Sequence, residues 1–312
     1  MNIYHFYPKT TPNGIRFLQS LASILKYEFG SKYRELSRLG DFYSILDQRK
    51  YSTDVILITA HGANNCIYGD GASGTENQIT IDNSQNFCNS FVFAFSCSTA
   101  HLGKRMVEQH DVITYVGFNK DIPLVIKQKR EAQFKEELNK LLKEIYVEAI
   151  VTSFDEFLKN GHTADEFVRL LQKRLTQLYV KLMNLGPQDL AKTYSISHRT
   201  TSNEEFYLRL STHFLATINS VSEMIELHGE KEFVPLVCLN VWDKDKAGEI
   251  LKGLTQRNIG FEDKLHFYVH YVMSELYRVL WDYKNMNKHL QFIEETKPDY
   301  YSQLNNQQVK IV

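Results

Sequence analysis

Two reactive side chains follow two short apolar segments of this chain. His61 stands near the end of residues 55–62 (VILITAHG), and Cys97 ends residues 91–97 (FVFAFSC). Segments rich in Val, Ile and Phe are typical of strands buried on both faces of a parallel sheet. Ligands collect at the carboxyl ends of such strands, where an imidazole and a thiol can act as base and nucleophile. The pattern therefore predicts the site of a cysteine hydrolase.

The neighbours of these two residues suit the same chemistry. Gly62 lacks a Cβ, so its backbone N–H can approach a substrate carbonyl closely. Cys97 lies in the small, polar segment 96–100 (SCSTA), and a helix is predicted to begin at His101. A helix N-terminus and a nearby imidazole both favour the thiolate form of a cysteine. For each residue alone a simpler interpretation exists. Cys97 would be a buried structural cysteine, and His61 would belong to a turn at the end of a strand.

His101 is the alternative base, since it follows Cys97 by four residues on the predicted helix. A residue one helical turn further on need not face the cleft at the strand ends. We therefore assign the acid/base role to His61.

The order of these segments resembles the caspase-like (clan CD) cysteine peptidases, in which one hydrophobic block ends in His-Gly and a later block ends in the catalytic Cys. Residues 60–71 (AHGANNCIYGDG) are similar to the caspase stretch that contains Ser-His-Gly, Tyr-Gly and Asp-Gly. Residues 96–100 depart from the caspase Gln-Ala-Cys-Arg-Gly and are similar to the CHAT peptidases of the separase and gingipain branch. Residues 112–123 (VITYVGFNKDIP) and 154–167 (FDEFLKNGHTADEF) also resemble CHAT segments, and the resemblance covers residues 1–183.

The resemblance implies a cysteine endopeptidase that works as a dyad without a cofactor or metal. Cys97 would be the nucleophile and His61 the general acid/base, with the backbone N–H groups of Gly62 and Cys97 as the oxyanion hole. Asp70 and Asp121 lie in loops expected near the cleft, where a carboxylate would select Lys or Arg on the amino side of the cut. The simpler interpretations are that Asp70 caps a turn and Asp121 is a solvated loop residue.

The composition excludes several classes of partner. Charged residues make up 23% of the 312 residues and the net charge is −1, which gives no attraction to nucleic acid or anionic membranes. The apolar stretches are strand-length, short of the roughly 20 residues of a membrane helix. The first residues, MNIYHFYP, lack a basic leader and an apolar signal core, which predicts a cytoplasmic protein. The four cysteines show no C-x-x-C spacing, which argues against a disulfide framework or a zinc site.

Strand and helix patterns alternate in the first part of the chain. This predicts an α/β fold with a caspase-like, mostly parallel sheet and flanking helices, followed by an α-helical C-terminal region. The predicted strands are 3–7, 55–62, 78–81, 91–97 and 112–116, and the predicted early helices are 13–29 and 32–46. The Gly-, Asn- and Ser-rich segment 62–77 is a long loop of the kind that is often functional.

Turn and cap residues over 186–203 set the predicted domain boundary, with a peptidase-like domain at 1–185 and a helical region at 202–312. Capping boxes are predicted at Ser153–Glu156 and Thr163–Glu166, and a helix capped by Ser202 and Glu205 is predicted to end at Gly229. Residues 233–242 fit either a strand that completes the sheet or a helix. Residues 262–298 resemble a single tetratricopeptide-like hairpin, and an ordinary amphipathic hairpin fits them equally well.

Three functional hypotheses follow. The first is a latent endopeptidase that cleaves a protein or peptide and receives a protein activator through its helical C-terminal region. The second is a catalytically inactive caspase-like binding or signalling module. The third is a cysteine hydrolase or acyltransferase that acts on a small molecule. The basic segment 126–130 (IKQKR) is a candidate for self-cleavage, and a solvated helix start is its simpler interpretation.

Overall fold

A six-stranded sheet forms the centre of the computed structural model, which describes residues 1–8, 15–48, 53–70, 77–126, 133–260 and 264–308. The strands in these ranges are Ile3–Phe6 (β1), Tyr33–Leu36 (β2), Val55–Thr59 (β3), Gly62–Ala63 (β4), Cys66–Tyr68 (β5), Gln78–Thr80 (β6), Phe91–Phe95 (β7), Thr114–Phe118 (β8) and Ile225–Gly229 (β9). The central sheet has the order β2-β1-β3-β7-β8-β9. Its strands run parallel from β2 to β8, and β9 is antiparallel to β8. The predicted α/β class with a mostly parallel sheet is confirmed.

The central strands are apolar along their whole length because both faces of the sheet are covered. In β3, Val55 and Leu57 belong to one core, whereas Ile56 and Ile58 belong to the other. All four side chains are fully buried. Burial of each such side chain contributes about 1.5–3 kcal/mol to folding, so this strand is a rigid support for the residues that follow it.

Helices cover the two faces of the sheet. Those of the described residues are Gln19–Phe29 (α1), Leu39–Gln48 (α2), Ala100–His110 (α3), Lys135–Asn160 (α4), Ala164–Met183 (α5), Pro187–Tyr194 (α6), His198–Thr201 (α7), Glu204–Arg209 (α8), Leu215–Met224 (α9), Lys244–Arg257 (α10), Phe267–Val279 (α11), Tyr283–Thr296 (α12) and Pro298–Gln308 (α13). A π-helical turn, Leu210–Phe214, joins α8 to α9. The helices α2 and α3 pack on one face, and α1, α4, α5 and the later helices pack on the other. In the part of the chain that the structure describes, no helix has the length and apolar character to cross a membrane.

The second predicted helix begins later than the sequence indicated, because its first residues form β2. This strand pairs in parallel with β1, from Ile3–Tyr33 to Phe6–Leu36. Tyr33 and Leu36 are buried in the core. The prediction of helix over 32–38 is therefore wrong, since pairing at the sheet edge overrides local preference.

The long helix predicted to reach Gly229 ends at Met224, and the next five residues form β9. Gly229 has a φ of +88°, and a Cβ there would lie 2.2 Å from the carbonyl oxygen of Ile113. The glycine thus allows the close approach of β9 to the start of β8. The segment expected to be wholly helical contributes the last strand of the sheet.

Two of the predicted helix starts are wrong and one is confirmed. Ser153 lies inside α4 and is fully buried, so it caps nothing. Asn203, rather than Ser202, is the cap of α8, because its Oδ1 accepts from the Glu205 N–H over 2.9 Å. The capping box between Thr163 and Glu166 is present at the start of α5.

Residues 233–242 form neither a strand nor an α-helix. They are irregular apart from a 3₁₀ turn, Leu239–Val241. The hairpin expected over 262–298 is formed by α11 and α12, and its tetratricopeptide resemblance stays a prediction. The break expected over 186–203 contains the short helices α6 and α7.

The C-terminal helices share one apolar core with the sheet. Phe233 stacks on Phe91 of β7 with ring centroids 5.2 Å apart, and on Tyr268 of α11 at 4.5 Å. Tyr300 of α13 hydrogen-bonds Thr53, just before β3, over 2.6 Å. Residues beyond the predicted boundary are therefore part of the structure that supports β3 and β7.

Candidate active site

The ends of β3 and β7 lie side by side in the sheet. Thr59 is paired with Phe95, the last residues of the two strands. One residue further on, the buried Ser96 hydroxyl donates to the carbonyl oxygen of Ala60 over 2.5 Å. His61 and Cys97 are the next residues in each segment, so they leave the sheet at equivalent positions of neighbouring strands.

Gly62 packs directly on the turn that carries Cys97. A Cβ at Gly62 would lie 2.6 Å from the carbonyl oxygen of Cys97 and 2.6 Å from the Thr99 Cγ2. Neither distance is tolerable for a real Cβ, so the contact requires glycine at this position. The structure thus brings Gly62 and Cys97, predicted from separate segments, into contact.

A sharp turn separates β7 from α3. Ser98 adopts a left-handed conformation with a φ of +56°. Its backbone N–H donates to Lys120 O over 3.1 Å, and the Thr99 hydroxyl donates to Ser96 O over 3.2 Å. Cys97 therefore stands on a hydrogen-bonded turn that leads into the first residue of α3, Ala100.

The thiol of Cys97 is partly buried and is hydrogen-bonded. The backbone N–H of Ile122 donates to its Sγ over 3.3 Å. Burial raises the pKa of the Cys97 thiol, and the negative charge of Asp121 raises it further, while the Ile122 N–H lowers it. The sum is a raised pKa, which corrects the expectation that the surroundings favour the thiolate. At neutral pH the resting residue is a thiol, so attack on a substrate requires a base.

The two candidate bases differ in exposure. His61 is half-buried, and its carbonyl oxygen accepts from the Tyr68 N–H over 2.8 Å, which attaches it to the β4–β5 hairpin. His101 is exposed on the first turn of α3. The role of His61 as the base stays a prediction.

The two acidic candidates lie in different surroundings. Asp70 Oδ1 accepts from the backbone N–H of Leu39 over 2.7 Å, at the start of α2. Asp121 is exposed, and its Oδ1 accepts from the Ser98 hydroxyl over 2.7 Å, one residue from Cys97. Asp121 is therefore beside the thiol, whereas Asp70 stabilises the N-terminus of a helix.

A cavity of about 540 Å³ is lined in part by Asp121 and Ile122, which hydrogen-bond the Ser98 hydroxyl and the Cys97 sulfur. One wall is the segment 121–125, and the other is formed by the π-helical turn and α9. Its lining residues are Asp121, Ile122, Pro123, Leu124, Val125, His213, Ala216, Thr217, Ser220 and Met224. We call this cavity the Asp121 groove.

A buried histidine that was not predicted from the sequence lies on β1, the strand next to β3. His5 on β1 is fully buried between the Tyr33 hydroxyl at 2.7 Å and the Thr59 hydroxyl at 2.8 Å. Burial lowers the pKa of His5 to about 3, so its imidazole is neutral. Thr59 ends β3, two residues before His61. A histidine within the apolar segment IYHF was the available signal.

None of the described cysteines forms a disulfide, and no group of three His, Cys, Asp or Glu side chains in the described ranges is arranged to hold a metal ion. Of the self-cleavage candidate 126–130, residues 127–130 lie outside the described residues, as do loop residues 71–76. No protein-family model and no curated protein matches this chain. Interpretation of the site therefore depends on its own chemistry.

Proposed function

We propose that this protein is a cysteine endopeptidase that cleaves a protein or peptide by acyl transfer. The observation that carries the proposal is the contact of Gly62 with the Cys97 turn at the ends of two adjacent parallel strands. This contact sets an imidazole-bearing residue, a thiol and two backbone N–H groups at one sheet edge. Acyl transfer needs these groups.

The first half of the reaction forms a thioester. The Cys97 sulfur attacks the scissile carbonyl carbon while His61 takes the thiol proton. The backbone N–H groups of Gly62 and Cys97 stabilise the negative oxygen of the tetrahedral intermediate. His61 then gives the proton to the leaving amine as the C–N bond breaks.

The second half regenerates the thiol. His61 takes a proton from water, and the resulting hydroxide attacks the thioester carbonyl. The C–S bond breaks, the acid product leaves and Cys97 recovers its proton from His61. The raised pKa of Cys97 makes the base necessary in the first step, since little thiolate exists at rest.

The proposed substrate carries Lys or Arg on the amino side of the cut. Support comes from the Asp121 carboxylate, which lines the groove and lies close enough to Cys97 to affect the pKa of its thiol. A carboxylate binds the donor groups of these side chains well. Apolar walls at Ile122 and Met224 suit the aliphatic part of such a side chain.

The C-terminal region is proposed to regulate the site by receiving a protein activator. Support comes from α9 and His213, which belong to this region and line the Asp121 groove. A partner that moves α9 would alter the groove if it bound the changed arrangement more tightly. A cytoplasmic location is part of the proposal.

The test uses full-length protein, a fluorogenic peptide library and an acyloxymethyl ketone probe. Cys97→Ala should abolish cleavage and labelling, and His61→Gln should abolish cleavage while the fold persists. Cys88→Ala is the control and should behave as wild type. Cleavage that survives Cys97→Ala would refute the proposal.

A second candidate is a binding module without catalysis. The observation that favours it is the raised pKa of the Cys97 thiol, which burial mainly causes and which leaves little reactive thiolate at rest. Failure of the probe to label Cys97 in any condition, with a folded protein, would support this candidate.

A further inference from the structure

A chain of hydrogen bonds joins α4 to the Cys97 thiol through residues 119–126. Tyr146 on α4 donates its hydroxyl to Pro123 O over 2.9 Å. The preceding residue, Ile122, donates its backbone N–H to Cys97 Sγ over 3.3 Å. The Tyr146 side chain is 1% exposed, so water competes little for this hydroxyl. The buried Tyr146 hydroxyl thus holds Pro123, which is the residue after Ile122.

Other bonds anchor the same loop on both sides of this contact. The Ser98 N–H donates to Lys120 O over 3.1 Å, and the Ser98 hydroxyl donates to Asp121 over 2.7 Å. After the contact, the Ile126 N–H donates to Asn139 Oδ1 on α4 over 2.8 Å. The bonds of Ser98 to Asp121 and of Tyr146 to Pro123 thus hold the two residues that flank Ile122.

The groups that face the thiol come from two elements. The loop supplies the Ile122 N–H and the Asp121 carboxylate, and α4 supplies Tyr146. His61 follows β3, and its backbone leaves the sheet at the position equivalent to that of Cys97. The negative charge of the Cys97 thiolate contributes to the raised pKa of Tyr146, after burial, which is the larger cause. Tyr146 therefore remains a hydrogen-bond donor over the whole range in which the thiol titrates.

We propose that Tyr146 is a positioning residue for Cys97, which holds the loop so that the Ile122 N–H meets the sulfur. A hydrogen bond from an N–H stabilises the thiolate more than the thiol. Tyr146 thereby sets how much thiolate is present, although it need not touch a substrate. Its importance for peptide cleavage rests on the proposed function, whereas its effect on the thiol does not.

The test is alkylation of Cys97 by iodoacetamide in full-length Tyr146→Phe, between about pH 6 and pH 10, with the labelled peptide quantified by mass spectrometry. We expect the inflection of the rate profile to move to higher pH. At neutral pH the rate should fall about threefold, because the loss of thiolate is partly offset by greater intrinsic nucleophilicity.

Tyr268→Phe is the matched control, because its hydroxyl also donates to a backbone carbonyl, Val234 O, over 2.8 Å within the core. It should lower Tm without moving the alkylation profile. The proposal is overturned if Tyr146→Phe raises the alkylation rate at every pH, because that would mean only that the Cys97 thiol had become more accessible. It is also overturned if the profile does not move, or if both variants shift it equally. A shift specific to Tyr146→Phe together with peptide cleavage that survives Cys97→Ala would refute the peptidase and leave the positioning role standing.

Discussion

Ser96 donates its hydroxyl to Ala60 O over 2.5 Å, and this bond ties β7 to β3 one residue before Cys97 and His61. Because both partners are buried, the bond fixes the separation of the two segments at the point where the proposed reactive residues leave the sheet. A shift of either strand end would therefore lengthen or break this hydrogen bond.

Ser96→Ala should lower the free energy of unfolding by about 1–3 kcal/mol, since it leaves the Ala60 carbonyl without its partner. Peptide cleavage should fall as well, because the strand ends lose their link. Ser84→Ala is the control: its buried hydroxyl donates to Ile81 O over 3.0 Å in another part of the fold. Denaturant titration and kcat/KM of both variants test this. Equal activity loss in the two would contradict a local role for Ser96.

Gly62→Ala should reduce kcat about hundredfold and lower Tm, because the new Cβ collides with Cys97 O and displaces a proposed oxyanion donor. Gly40→Ala on α2 has no atom within 4 Å of its new Cβ. That control should raise stability by about 0.5–1 kcal/mol and leave activity unchanged. Full activity of Gly62→Ala would show that Gly62 is not part of the catalytic site.

Asp121→Asn should reduce kcat/KM for peptides with Lys or Arg before the cut about tenfold relative to peptides with Leu, because a charged acceptor is lost. Asp70→Asn is the control: asparagine can still accept from Leu39 at the start of α2. Its specificity should match that of wild type. Cleavage after Leu alone in wild-type protein would show that the Asp121 groove does not select a basic residue.

Ala216→Trp should raise KM for peptides with little change in kcat, because the exposed Ala216 on α9 lines the Asp121 groove and a large ring would occupy it. Alkylation of Cys97 by iodoacetamide should be unaffected. Asn219→Trp, also exposed on α9 but outside the groove, is the control. Identical kinetics in the two variants would indicate that peptides bind elsewhere.

His5 should make stability depend on pH. Its pKa is lowered from 6.5 to about 3 in the folded protein, so the unfolded chain binds the extra proton between these values. The contribution of neutral His5 to the free energy of unfolding is therefore complete above pH 6.5, and it is lost as the pH falls from 6.5 towards 3. His5→Leu does not titrate, so the difference in unfolding free energy between wild type and variant should fall by about 2 kcal/mol from pH 7.5 to pH 5. A constant difference in denaturant titrations at the two pH values would contradict this account.

The strands that carry His61 and Cys97 are predictable from local patterns in the chain. The apolar segments before His61 and Cys97 predict buried strands, because a strand that is covered on both faces is apolar at every position. The capping box of Thr163 and Glu166 was likewise predictable, since both partners lie within one helical turn. Such features depend on neighbours in the chain, which is why one sequence suffices for them.

The residues that surround the thiol come together through contacts between distant parts of the chain. Ile122 reaches the Cys97 sulfur because residues 119–126 fold back against α4, where Tyr146 bonds Pro123 and Ser98 bonds Asp121. The raised pKa of Cys97 follows from this burial, which no local pattern encodes. In the same way, β9 forms because the edge of β8 requires a partner, and Gly229 allows the strand to approach. Long-range packing and pairing energies decide these contacts, and they exceed the local preferences that a sequence displays.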